Sequence, residues 1–168
     1  MNSYRGPVLL EKGQECASFD CGKAPLNAFL IHHALANQAN NSARTFVVLE
    51  ENCVVGYYSL AASAVLHEHA PTRMVKGLAR HPVPVILMAR FAVDRSHQGK
   101  GLGKAMFKDA IKRSLAATKE IAARAFVVHA KDEEAKALYS HFEMEPFTDN
   151  PYHLFLLLKD IERVLGLR

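Results

Sequence analysis

The chain alternates between segments with a helical apolar period and short, nearly continuous apolar runs. In "PLNAFLIHHALANQ" (25–38), Leu26, Phe29, Leu30 and Ala34 recur at the three- and four-residue spacing of one helix face. Gly22 and Pro25 mark its start. "RTFVVLEENCVVGYYSLAASAVL" (44–66) reads as two β-rich runs broken at 50–52, the pattern of a hairpin. Residues 67–84 carry Pro71, Pro82 and Pro84 among polar residues and read as a loop. "VPVILMARFAV" (83–93) is apolar almost throughout and predicts a buried central strand. A glycine-rich loop follows. From residue 102 to about 115, Met106, Phe107, Ala110 and Ile111 share one helix face, with Lys104, Lys108 and Lys112 on the other. "RAFVVHA" (124–130) predicts another buried strand. Asp132 is suited to cap a helix reaching about Phe142, with Glu133 and Glu134 at its positive end. A last strand falls near 152–158. This order predicts an α/β fold in a single domain over residues 1–168.

Composition narrows the class. At 49% hydrophobic, 168 residues can fill a core, which excludes a disordered chain. No apolar stretch reaches the ~18 residues of a membrane span, and the N-terminus lacks a secretory pattern. A cytoplasmic protein with no membrane association is expected. Cys16, Cys21 and Cys53 lack zinc spacing and read as free thiols. His32–His33 and the His67/His69 pair supply no three converging ligands, so no metal is expected. A net charge of +4 invites an anionic partner without choosing between nucleic acid and a small phosphorylated ligand.

Strand, glycine loop and helix in succession make a phosphate-binding arrangement, because loop amides and the helix N-terminus both attract anions. The glycines are Gly99, Gly101 and Gly103. A Walker loop fails: Ala105 follows Gly103–Lys104, and Gln98 stands where the first glycine belongs. A dinucleotide fingerprint fails at Lys104 or Met106. The spacing that fits is Gln98-x-x-Gly101-x-Gly103. With "ARFAVDRSHQGKGLGKAMFKDA" around it, this resembles the acetyl-CoA-binding motif of the GNAT N-acetyltransferases.

The resemblance implies the GNAT acyltransferase fold, a single mixed, mostly antiparallel central sheet flanked by helices. It implies acetyl-CoA as donor and no metal. The segment Gln98, Gly99, Lys100, Gly101, Leu102 and Gly103 would grip the pyrophosphate, with Arg95 and Lys104 beside it. Phe91, Ala92 and Val93 would present their backbone to the pantetheine arm. "SFDCGKAPLNAFL", "SARTFVVLEENCVVGYYSLAA", "ALYSHFEMEPF" and "YHLFLLLKDI" together resemble the GNAT toxins of bacterial toxin–antitoxin pairs. Those enzymes acetylate the α-amino group of aminoacyl-tRNA and block translation. Their usual partner is a ribbon-helix-helix antitoxin, and many are homodimers.

By period alone Tyr139 shares a face with Ala135, Leu138 and Phe142 and reads as a core aromatic. The resemblance makes it the general acid that protonates the CoA sulfur, a role suited to a phenol with a pKa of about 10. The central strand contains no Asp or Glu to act as base. An α-amine, with a pKa of about 7.7–8.0 against about 10.4 for lysine, is substantially neutral near physiological pH, so water can accept its proton.

Arg90 is the odd residue in an apolar strand. It needs an ion pair, a route to solvent, or an RNA phosphate at the edge of the acceptor cleft. Arg73, Lys76 and Arg80 stand with no acid between Pro71 and Pro84, either as solvated charge or as an RNA-binding patch. Lys104 suits a CoA phosphate, whereas Lys108 and Lys112 read as solvated. Glu143 stands where the family commonly has glycine, which leaves the exit of that helix open. Two rival readings predict different behaviour. A GNAT enzyme acting on protein lysine or a small amine would carry a strand carboxylate or an acidic cleft. A non-catalytic acyl-CoA- or nucleic-acid-binding regulator would bind without turnover.

Overall fold

The computed structural model describes residues 3–167. The strands are β1 (Arg5–Leu9), β2 (Arg44–Glu50), β3 (Cys53–Val65), β4 (Val83–Val93), β5 (Ala125–His129), β6 (Glu145–Pro146) and β7 (His153–Leu157). The α-helices are α1 (Ala24–Ala28), α2 (Ala34–Ala39), α3 (Thr72–Val75), α4 (Leu102–Ala117), α5 (Glu133–His141) and α6 (Ile161–Val164). The strands form one sheet in the order β1-β2-β3-β4-β5-β7-β6. Pairs β1·β2, β2·β3, β5·β7 and β6·β7 are antiparallel and β4·β5 is parallel, the mixed sheet that the resemblance implies. The chain divides into two compact units. The first takes the residues up to Ala61 together with Ala89–Ala110, and the second Ala62–Met88 and the residues from Ile111 onward.

In the first unit, Leu26, Phe29, Leu30 and Ala34 are buried in a core with Leu10, Phe19, Val47, Leu49, Val54 and Tyr57. The helical period therefore finds the right face, but the helix is not continuous. A π-turn over Phe29–His33 separates α1 from α2, and the Ala34 amide donates to the Phe29 carbonyl. The extra residue in that turn keeps Phe29 and Ala34 on the buried side. The β2–β3 turn lies where the pattern puts it. Glu51 and Asn52 have φ of 48° and 67°, the left-handed pair that matches the twist of a two-residue hairpin. Strand β1 escapes the sequence pattern, because "RGPVL" is short, lacks alternation and contains proline. Its place at the sheet edge is where proline is tolerated. In β3, a Cβ on Gly56 would stand 2.6 Å from Met106 Sδ, so the missing side chain lets α4 sit close.

In the second unit, Met74, Val83, Val85, Ala125, Val127, Phe147, Phe155 and Leu157 form a core. The stretch 67–84 is not loop throughout. It holds a 3-10 turn over His67–His69 and the short helix α3, whose Met74 is fully buried. A lone apolar residue among polar ones gives no period to read, and only its partners reveal it. Helix α5 starts as its sequence predicts, with the Asp132 carboxylate accepting from the Ala135 amide at 2.8 Å. At its exit Glu143 adopts φ of 63°. The Met144 amide donates to Tyr139 O (3.3 Å) and the Glu143 amide to Ser140 O (3.0 Å), a Schellman closure with glutamate in the glycine position. The Glu143 carboxylate meets Arg163 at 3.0 Å.

Candidate active site

In the first unit, β4 ends in Phe91, Ala92 and Val93 and gives way to a 3-10 turn over Arg95–His97. Asp94 shapes the junction. Its side chain accepts from the Ser96 amide (2.9 Å) and from the Asp20 amide (3.0 Å). Gln98 closes the loop from the other side, donating through Nε2 to Val93 O (2.8 Å) and Cys21 O (3.4 Å). Gly99 and Gly101 lie at φ of 77° and 82°, where a Cβ is strained, yet the space beside each is open. Gly103 differs. It is already inside α4, and an added Cβ would meet Phe91 and Val93 at an ordinary 3.9 Å. The glycines therefore set the backbone turn at Gly99 and Gly101, directly before the N-terminus of a 16-residue helix. Amides and helix dipole meet there, an arrangement suited to a diphosphate. Lys100 and Lys104 are exposed beside it.

Arg95 stands 3.8 Å from the Asp20 carboxylate. The Gly22 amide, then the Asn27 side chain and Arg95, hold that carboxyl below its usual range. Arg90 resolves its conflict with the apolar strand in a way the sequence does not disclose. Its guanidinium lies over the Phe29 ring, 3.7 Å from the centroid, a cation–π contact. Phe29, Asp20 and Asp94 are thus the supporting residues that sequence reasoning missed. Asp94 and Asp20 carried a local signal, each accepting from the amide two positions on, Ser96 and Gly22, whereas the Phe29 contact carried none.

In the second unit, Tyr139 is 6% exposed on α5. Burial, followed by the negative charge of Asp132, pushes its phenol up from the ordinary value. The group thus holds its proton throughout the neutral range, as an acid must before it acts. The basic loop is less bare than its sequence. Arg73 is paired with Glu145 and with Asp160, the latter at 3.1 Å, so acids distant in sequence supply what the loop lacks. Arg124 donates to the carbonyls of Met74 (2.8 Å) and Lys76 (3.0 Å), fixing the loop's backbone. Lys76 and Arg80 remain exposed. Among the described residues, no three His, Cys, Asp or Glu side chains stand together as a metal site. No described helix is long and apolar enough to cross a membrane.

The model of the acetyltransferase (GNAT) family matches residues 14–144. The chain is 41% identical over 166 residues to a tRNA-acetylating toxin of Mycobacterium tuberculosis (strain ATCC 25618 / H37Rv), covering 99% of both chains. It is similar to the structure of AtaT complexed with acetyl-methionyl-tRNAfMet, with TM-score 0.86 and 25% identity over 96% of this chain and 98% of that one. A tyrosine-to-phenylalanine variant of AtaT, bound to the C-terminus of the antitoxin AtaR and acetyl-CoA, matches with TM-score 0.79 and 25% identity over 98% and 97%.

Proposed function

The chain belongs to the GNAT acetyltransferase family, and from that premise we propose that it is a toxin that moves acetyl from acetyl-CoA to the α-amino group of aminoacyl-tRNA. The 41% identity with a tRNA-acetylating toxin, spread over 99% of each chain, carries the choice of acceptor. The single catalytic domain of this reading runs over residues 1–168.

Each residue type suits its step. The backbone of Gln98, Gly99, Lys100, Gly101, Leu102 and Gly103 takes the pyrophosphate, with Arg95 and Lys104 adding charge. Phe91, Ala92 and Val93 face the pantetheine arm. The amine nitrogen attacks the thioester carbonyl, a C–N bond forms and the C–S bond breaks. The amine's proton leaves to water, which suffices because an α-amine, with an ordinary pKa of about 7.7–8.0, is already substantially neutral near physiological pH. The departing thiolate takes a proton from Tyr139, and the phenolate regains one from solvent before the next turnover. The acid-free strand β4 favours this acceptor over lysine, whose ammonium would need a base. Arg90, Lys76 and Arg80 contact RNA. Arg73 adds least, because its charge is already shared by Glu145 and Asp160. The partner that silences the enzyme is a ribbon-helix-helix antitoxin, the enzyme works as a homodimer, and an aminoacyl-tRNA substrate places it in the cytoplasm.

The test is incubation with labelled acetyl-CoA and a charged tRNA pool. Label on the aminoacyl end of a tRNA is the expected result. Label on protein lysines or small amines alone would replace the acceptor, and donor binding with no transfer to anything would make the protein a regulator.

A further inference from the structure

The second unit contains a hollow of about 390 Å³ that no step above uses. Its size falls within the range of small-ligand pockets, roughly 300–1,000 Å³. Val65 and Val127 give it apolar walls, and His69, Asp149 and Asn150 give it a polar rim. Its distinctive feature is a pair of imidazoles. His129 and His153 are register partners across β5 and β7, and their rings stack at 3.8 Å between centroids with 16° between planes. His153 meets Phe147 edge-on at 5.9 Å, and Phe147 meets Phe155 at 5.8 Å. An aromatic ladder thus climbs from the core and ends on the exposed ring of His129.

Three ligand classes can be weighed against this geometry. A metal is disfavoured, because stacked rings turn their faces, not their lone pairs, toward each other. A phosphate is disfavoured by the Asp149 carboxylate, which stands 3.7 Å from His69. It is disfavoured again because two imidazolium rings cannot share a 3.8 Å stack. Burial, and then His153, lower the pKa of His129 and keep its ring neutral. A planar heteroaromatic ring satisfies every feature. It continues the ladder on the face of His129, and its polar edge meets the rim. Asp149 accepts from an exocyclic amine, as carboxylates do from cytosine. Asn150, whose Oδ1 accepts from the Tyr152 amide at 3.0 Å, has its amide NH2 to donate to a ring nitrogen or carbonyl.

We propose that this pocket binds an unpaired, amino-bearing nucleobase by stacking on His129, with Asp149 and Asn150 reading its edge. This deepens the aminoacyl-tRNA reading and rests on it, because the unpaired acceptor end of every tRNA is CCA, whose three bases all carry such an amine. Stacking on aromatic side chains is the usual way in which single-stranded RNA bases are held.

The experiment compares wild type with His129→Ala, His129→Phe and Asp149→Asn in two assays. The first is acetylation of charged tRNA. His129→Ala should raise the KM for aminoacyl-tRNA at least about fivefold, the lower end for one lost base stack, while the KM for acetyl-CoA stays unchanged. His129→Phe should restore it, because a flat ring is what is needed. The second is direct binding of uncharged tetranucleotides. ACCA should bind wild type more tightly than UUUU, which has no exocyclic amines, and Asp149→Asn should narrow that gap. Equal tRNA KM and equal ACCA binding in wild type and His129→Ala would overturn the pocket while leaving the acetylation reading intact. Binding of ACCA through His129 by an enzyme that acetylates no aminoacyl-tRNA would uphold the pocket and remove that reading. A KM rise that His129→Phe fails to rescue would show a structural role only and also overturn the proposal.

Discussion

The donor loop of the first unit and the aromatic pocket of the second are built on opposite plans. The loop is made of backbone. Left-handed glycines at Gly99 and Gly101 turn it, and Asp94 and Gln98 hold it through main-chain amides and carbonyls. The pocket is made of side chains. Its rings owe their positions to strand register, and the Tyr139 acid of the same unit owes its own to helix phase. A backbone site tolerates sequence change wherever torsion angles survive. A side-chain site fails with a single atom. Mutation should therefore separate the two.

The largest effect should come from Tyr139→Phe, which deletes one oxygen. Turnover with charged tRNA should fall on the order of 10²-fold or more, the usual worth of a general acid, with acetyl-CoA affinity unchanged. Steady-state kinetics beside calorimetric titration would show this, and unaltered kcat would remove Tyr139 from the chemistry. The matching test of the backbone plan is Gly101→Val. The space there is open, so the cost is torsional, about 1–2 kcal/mol, and the variant's unliganded loop escapes it by leaving the cradle geometry that binding must then restore. Acetyl-CoA should bind roughly 5- to 30-fold more weakly. Gly103→Ala, at an ordinary helical φ, should leave affinity nearly unchanged. Equal losses in the two variants would mean that space, not torsion, governs the loop.

Smaller effects sharpen the picture around α5. Glu143→Gly should relieve left-handed strain of about 1–2 kcal/mol at the helix exit, less roughly 0.5–1 kcal/mol for the added chain entropy of glycine and less the contribution of the exposed Arg163 pair. Denaturant unfolding would read it as a raised midpoint at constant slope. The smallest effect concerns pH. The folded-state pKa of His129 lies below its unfolded value, so the unfolded chain takes up the proton first on acidification. Stability is therefore intact above the ordinary histidine pKa of about 6.5 and is lost as pH falls through that value toward the lower folded one. His153, His69 and Asp149 face the same pocket, and of these His153 contributes to the lowering. His129→Phe should flatten the fall in Tm between pH 7.5 and 5.5, and an unchanged slope would assign the titration to another group.

The same contrast explains what could be read from the chain. Gln98-x-x-Gly101-x-Gly103 is visible because a backbone motif is local: the torsions and the helix it feeds lie within a few residues. The strands β2, β3, β4, β5 and β7 and the helices α4 and α5 were legible for the same reason, since period and caps are local too. What stayed hidden depends on distant partners. Arg73 meets Glu145 across 72 residues and Asp160 across 87. Arg90 finds an aromatic face where the sequence offers only a choice among an ion pair, solvent and RNA. The His129–His153 stack exists only through the β5·β7 register. Strand β1 and helix α3 are short enough that neither a period of two nor one of 3.6 can declare itself.

The staples on the donor loop also have a meaning in time. Asp94 and Gln98 fix that loop with groups from the chain itself, so its ordering cost is met on folding and not on binding. A donor arriving from solution meets a finished cradle and waits for no closure. In a cell rich in acetyl-CoA such an enzyme stands loaded between encounters, and the tempo of its action is set by the arrival of charged tRNA and by whatever protein intercepts it first.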